Sequence, residues 1–345
     1  MNLKSLVLSG SLVLFSVTFV AAQNNSNNSK VSIGARLGLT IPSFSGGGDN
    51  PLTSDYKSTE RFGAGVFAEF KISKLFSIQP VLEFAQEGAK RNGFQAFTGN
   101  QLLDGVQGGI APGIAAQLPP ELSSYAPAIT TAVNSAVGGA INSAVPKDQY
   151  GNQLLYADMN STARMNYLML PVLAKFGWDF GHQQHWRFYV DAGPYIALLV
   201  SAHQIVSNAN RTLGTIYTGN STNTPSVGGV IGGAITSLAQ NPMVGQLLQA
   251  YPDIAQQLEQ MPNQLASQPS SLNSTTDIKN QLHTLNWGLE GNLGFQYRIH
   301  RNKIFIEGGG NYGLMNIQKK VDGQYANGKN HIGAGTVMVG YAYAL

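Results

Sequence analysis

Residues 167–200 read YLMLPVLAKFGWDFGHQQHWRFYVDAGPYIALLV, two long alternating runs joined by a polar turn. In the first run Leu168, Leu170, Val172, Ala174, Phe176 and Trp178 share one face, with Tyr167, Lys175 and Asp179 on the other. In the second, Trp186, Phe188, Val190, Ala192, Ile196 and Leu198 oppose Arg187, Tyr189, Asp191 and Tyr195. Successive side chains of a strand point to opposite faces, so this pattern predicts a β-hairpin with one apolar and one polar face. Each run exceeds the ~9–11 residues a tilted strand needs to cross a bilayer. Tryptophans flank the turn, where a membrane barrel carries an aromatic girdle. The stretch therefore predicts a transmembrane hairpin.

Composition points the same way. Only 11% of residues are charged, against roughly 25% in an ordinary soluble domain. Cysteine is absent, which excludes disulfides and thiolate metal sites. A formal charge of +3 spread over 345 residues argues against nucleic acid as a partner. At the N-terminus, Lys4, an apolar run from Leu6 to Val20 and the small residues Ala21 and Ala22 form the pattern of a cleaved secretory signal over residues 1–22. Residues 23–345 are then expected to form one barrel domain.

Outward from the central hairpin, the same alternation recurs. Val31 to Ile41 forms a first strand. Phe62 to Ile72 and Phe76 to Phe84 form a second and a third, joined by a tight turn. After the hairpin come Leu285 to Tyr297, Ile304 to Leu314 and Val337 to Leu345. That makes eight strands. The connections run long, short, very long, short, very long, short and medium, the layout of an up-and-down barrel with short periplasmic turns and long surface loops. The fold class is all-β: an eight-stranded antiparallel transmembrane barrel. Pro171 and Pro194 are expected nearly opposite each other on its lipid face.

With all strands in phase, Arg36, Glu69, Lys71, Glu83, Glu87, Lys175, Arg187, Asp191, Glu290, Arg298 and Glu307 fall on the inner face. A lumen of eight strands is just wide enough for side chains. Near balance of acid and base predicts mutual neutralisation rather than an open path. A proton or ion path, or a catalytic pair such as Glu83 with Glu290, is the sharper alternative.

The two long loops, residues 88–162 and 201–281, carry helical patterns, with insertions at about 102–146 and 227–267. In the first, alanines at 128, 132, 136, 140 and 144 run beside Ile129, Val133, Val137, Ile141 and Val145. The second holds Ile231 and Ile235, then a pattern through Val244 to Leu265 that includes Leu258. Such narrow stripes let helices pack closely. The two loops are expected to cover one another, or to offer Ile129, Val133, Val137, Ile141, Ile231, Ile235 and Leu258 to a partner. His182 and His185 stand three apart in a turn without nearby carboxylates beyond Asp179 and read as solvated. No cofactor, metal site or catalytic set is expected.

The segments IGARLGLTI (33–41), RFGAGVFAEFKISKLFSIQPVLEFAQEGAK (61–90), NYLMLPVLAKFG (166–177) and RFYVDAGPYIALLVSA (187–202) are similar to the outer-membrane β-barrel family of Bacteroidota that includes PorT-like proteins. The resemblance covers the strands, about half the chain, and implies an OmpA- or OmpX-like barrel in the outer membrane of a Gram-negative bacterium. Some members are linked to protein secretion. Leu345 stands where such barrels commonly end in phenylalanine, and the helical loops depart from their compact pattern. The expectation is a non-enzymatic surface binding or structural protein, in contact with outer-membrane lipid and with an extracellular or envelope protein. A secretion accessory or narrow channel is the alternative, and an outer-membrane enzyme the third.

Overall fold

Each alternating run finds its neighbours by antiparallel pairing. The computed structural model describes residues 29–46, 52, 55–100, 103, 120–147, 151, 153–181, 184–207, 232–234, 236–238, 240, 242–253, 256, 260, 273–320 and 329–345. The signal segment, His182, Ile231, Ile235 and Leu258 lie outside these. The strands are β1 (Val31–Gly46), β2 (Arg61–Lys71), β3 (Phe76–Thr98), β4 (Leu154–Phe180), β5 (Trp186–Ser207), β6 (Ser274–Asp277), β7 (Leu285–Ile299), β8 (Asn302–Gly313) and β9 (Asn330–Ala344). The helices are α1 (Ala126–Ala144) and α2 (Pro242–Ala250).

Pairing runs β1–β2–β3–β4–β5–β7–β8–β9 and returns to β1, from Ser32↔Ala344 to Gly46↔Asn330. The eight expected strands thus form a closed ring. Closure satisfies the edge N–H and C=O groups that hydrocarbon cannot. No described helix is long and apolar enough to cross a membrane; strands do the crossing.

The outer wall is apolar and exposed. Leu37, Leu39, Val66, Leu170, Phe176, Ile196, Leu289, Leu293, Ile304, Val337 and Val339 all point outward. From Leu168 to Trp178 a strand rises roughly 33 Å, which a tilt of about 40° brings to the ~25 Å apolar band of an outer-membrane barrel. At the short-turn end Trp178, Phe180, Trp186, Tyr341 and Tyr343 ring the wall, and Phe62, Trp287 and Tyr312 ring the other end. The sequence-based girdle beside the turn is therefore one of two.

Inside, bulky rings lie over glycines on the neighbouring strand. Phe67 faces Gly34, Tyr189 faces Gly294, Tyr195 faces Gly288 and Phe305 faces Gly340, each a direct register pair. A Cβ on those glycines would come within 2.5, 2.5, 2.7 and 2.1 Å of the ring atoms. All four rings are buried. Small beside large is how a narrow lumen fills without voids.

Three expectations need correction. Pro171 is buried and faces the lumen with its pair Tyr195, while Pro194 is exposed on the wall; the odd residues of β4 point inward, so the two prolines do not share a face. β3 and β4 also continue to Thr98 and from Leu154, well into what reads as loop, and β5 continues to Ser207. Gly88 and Gly93 have φ of 134° and 98°, and Val200 is skipped between the pairs Tyr167↔Leu199 and Asn166↔Ser201. Those irregularities shift the alternation and hide the extensions. β6, which joins β5 through His203↔Asp277, has no sequence signal of its own.

Gly294→Val should displace the Tyr189 ring and destabilise the barrel by about 1–3 kcal/mol. Gly335→Ala, where a Cβ would meet nothing within 4 Å, should leave it unchanged. Urea unfolding in lipid vesicles, followed by tryptophan fluorescence, compares the two.

Candidate functional site

The lumen is built in three layers. Nearest the short turns, Phe67, Val81, Leu173, Tyr189, Phe305 and Ala342 form an apolar cluster. Toward the surface loops, Ala85, Met165, Tyr167, Met169, Tyr195, Leu199, Leu282, Ile317 and Ile332 form a second. Between them sits an ionic layer centred on Arg36.

Alternation puts Arg36 inward on β1, Glu83 on β3, Glu290 on β7 and Glu307 on β8. Register then brings all four together. The Arg36 guanidinium donates from Nε to Glu83 Oε2 at 2.8 Å, from Nη1 to Glu307 Oε1 at 2.9 Å and from Nη2 to Glu290 Oε1 at 2.8 Å. Its Nη2 also meets Glu83, completing a two-pronged contact. Tyr189 donates to Glu307 Oε2 at 2.8 Å. Asn292 donates to both Asp191 (2.9 Å) and Glu290 (3.0 Å). The Lys175 ammonium lies 3.7 Å from the centre of the Tyr189 ring and donates to Gln79 at 3.1 Å. Desolvating such charges costs several kcal/mol each, so they persist only with this density of partners.

The remaining inner charges divide. Glu69 accepts from Lys303 at 2.8 Å and from Ser77 at 2.9 Å. Glu87 accepts from Asn311 at 3.4 Å, on the loop side of the ionic layer. Arg187 and Arg298 do not join Arg36; both converge on Asp179 at the short-turn mouth, where Arg187 also donates to the Lys74 carbonyl at 3.0 Å. Lys71 is exposed at the end of β2, because the strand has left the lumen by that point. Sequence reasoning left out Lys303, which directly follows the β7–β8 turn, and passed over Tyr189 and Asn292 as ion partners. Their inward phase was the available signal.

Above the bilayer, β3 and β4 form a long arm that holds α1. A Cβ on Gly99 would sit 2.8 Å from Ile141, and Gln153 donates to the Ile141 and Val145 carbonyls at 3.2 and 2.9 Å, satisfying the end of the helix. Ile129, Val133, Val137 and Ile141 are buried, so they are packing residues here rather than open surface. The alanine stripe is the half-open face. Ala128, Thr131, Ala132, Ser135 and Ala136 line a crevice of about 480 Å³ with Ser237 and Leu238 of the second loop. The two loops therefore meet across it. His185 Nδ1 lies 3.0 Å from the Arg298 carbonyl. Among the described residues no group of three His, Asp or Glu is arranged to hold a metal ion.

A closed ring with an apolar belt, two girdles and a packed polar interior defines a transmembrane β-barrel of the outer membrane. The family model described as "Outer membrane protein beta-barrel domain" matches residues 21–319, and the chain belongs to that family. Among solved structures it is similar to Neisserial surface protein A (9% identity, 92% of this chain and 98% of that one, TM-score 0.31). It is similar also to OprG of Pseudomonas aeruginosa (9%, 93% and 98%, 0.29) and to Ail of Yersinia pestis, solved in complex with a heparin analogue (8%, 91% and 99%, 0.29). A search of curated proteins found no match.

Arg36→Met should cost about 3–5 kcal/mol, because it leaves three buried carboxylates without their cation. Lys71→Ala should stay within about 0.5 kcal/mol. The temperature at which the fast-migrating folded band is lost on a gel measures both.

Proposed function

We propose that this barrel is a surface binding protein whose working part is the β3–β4 arm with its helices, while the lumen serves as a structural core. The observation that carries the reading is the arm itself. Strands that need only span the bilayer continue far beyond it and hold α1 against the second loop. An interior packed in three layers gives no comparable reason for such an extension.

The arm also presents side chains suited to contact. Phe94, 59% exposed, stacks on Tyr156 with ring centroids 5.8 Å apart. Tyr125, just before α1, is 44% exposed. Aromatic groups of this kind anchor many protein interfaces. The alanine- and hydroxyl-lined crevice, on the helix that Tyr125 precedes, offers an uncharged surface. The proposed partner is an extracellular or envelope protein, and no catalytic role is assigned. Export through a leader cleaved near Ala22 belongs to the same reading, as does descent from PorT-like barrels, which is proposed as ancestry and not as activity.

Absence of native cysteine makes a direct test simple. Ser135→Cys, carrying a photo-crosslinker attached through a membrane-impermeant maleimide on intact cells, should give a protein adduct of constant mass. Asn302→Cys, on the short-turn side, should stay unlabelled. Labelling at Ser135→Cys without any protein adduct would refute the binding role.

A further inference from the structure

The distribution of charge across the barrel wall is uneven in a way the ionic lumen does not explain. Acidic side chains are drawn inward: Glu69, Glu83, Glu87, Asp191, Glu290 and Glu307 are all buried. Beyond the lumen's own Arg36, Lys175 and Arg187, further cations stand on the outer wall, gathered where the apolar band ends on the loop side. On β4 the outward series runs from Trp178 through Leu168, and then reaches Asn166 and Arg164. Arg164 is exposed and pairs in register with Gly88 on β3 and His203 on β5. Lys90, also exposed, lies one step further along β3, opposite Thr162.

On the other side of β5, the Lys279 ammonium donates to the carbonyl of Val200 at 2.8 Å. Val200 is the residue that the β5 bulge leaves out of register, and its side chain is 42% exposed as part of the apolar wall. Lys279 is thereby held at the boundary between hydrocarbon and water, with two of its three N–H donors still available. Lys319 continues the series, its ammonium reaching the Asn280 carbonyl at 3.1 Å.

Counter-charge is scarce along this wall. Among the described residues two carboxylates lie nearby: Asp277, the register partner of His203, which accepts from the Lys279 backbone N–H at 2.8 Å, and Asp55, two residues before the Lys57 that bridges Lys90. Arg164 lies near enough to Arg61 for their like charges to repel. Gathering more cations than anions is unfavourable in isolation. At the surface of a charged leaflet it becomes favourable, by about 1 kcal/mol for each Lys or Arg, or about a factor of five in affinity.

We propose that Lys90, Arg164 and Lys279 form a docking surface for phosphate-bearing lipid headgroups of the outer leaflet. The bulge at Val200 and the bond from Lys279 set the height of the patch. Guanidinium at Arg164 supplies a fork that matches phosphate, and the two ammonium groups supply charge on either side. The proposal rests on the placement of the barrel in the outer membrane, and lipid is bound at this sector of the wall rather than uniformly around the ring.

Native mass spectrometry of the detergent-purified full chain tests it, with phosphatidylglycerol as the anionic probe and phosphatidylcholine as the neutral one. The intact protein should retain phosphatidylglycerol at least tenfold better. Combined Lys90→Gln, Arg164→Gln and Lys279→Gln should remove that preference, and Lys90→Arg, Arg164→Lys and Lys279→Arg together should restore most of it. Combined Lys30→Gln, Lys71→Gln and Lys74→Gln, at the opposite rim, should keep it. Folding of each variant is read separately from heat-modifiable migration, so loss of the barrel is distinguished from loss of the patch. Equal retention by the first variant, equal loss in the opposite-rim variant, or displacement of the lipid by an equal concentration of inorganic phosphate would overturn the proposal.

Discussion

Arg36 ties four walls of the barrel together. Its guanidinium reaches carboxylates from β3, β7 and β8 while standing on β1, so one side chain crosses the lumen in three directions. In a barrel of this width, every inward charge is removed from bulk water and must be compensated by a neighbour. The two apolar clusters that flank the layer make that requirement stricter, since excluding water strengthens each Coulomb contact and each unmade one. Tyr189 belongs to both arrangements: its ring packs in the lower cluster and over Gly294, while its hydroxyl donates to Glu307.

The rest of the architecture follows from placing unlike solvents on either side of one strand. Outward positions meet lipid and are apolar; inward positions meet each other and are charged, aromatic or glycine. Glycines beside Phe67, Tyr189, Tyr195 and Phe305 let large rings lie flat against the wall. Where the strands emerge from the band, that division ends. Gly88, Gly93 and the skipped Val200 change the phase, and the arm above takes up a different geometry that holds α1.

Much of this was legible in the residues. Strands and faces could be read because alternation has period two and the faces differ so sharply. Inward phase could be read in the same way for the expected charges other than Lys71. Contacts within the set could not, because pairing depends on register: nothing local to Arg187 says that it meets Asp179 and the β2–β3 turn rather than Glu83. Lys303 was obscured by its position at a turn, and Lys71 was misplaced because phase does not reveal where a strand leaves the lumen. The upper arm was hidden by its irregular residues. For α1, the stripe of Ile129, Val133, Val137 and Ile141 showed an apolar face but not what covers it, and in the structure it is turned inward.

With the ionic layer and its two apolar seals in place, the lumen is expected to be closed to ions. Planar-bilayer recording of the purified, folded barrel tests it most directly. A closed lumen gives a flat baseline without unitary current steps at either polarity. Steady, reproducible steps from the intact protein would contradict it.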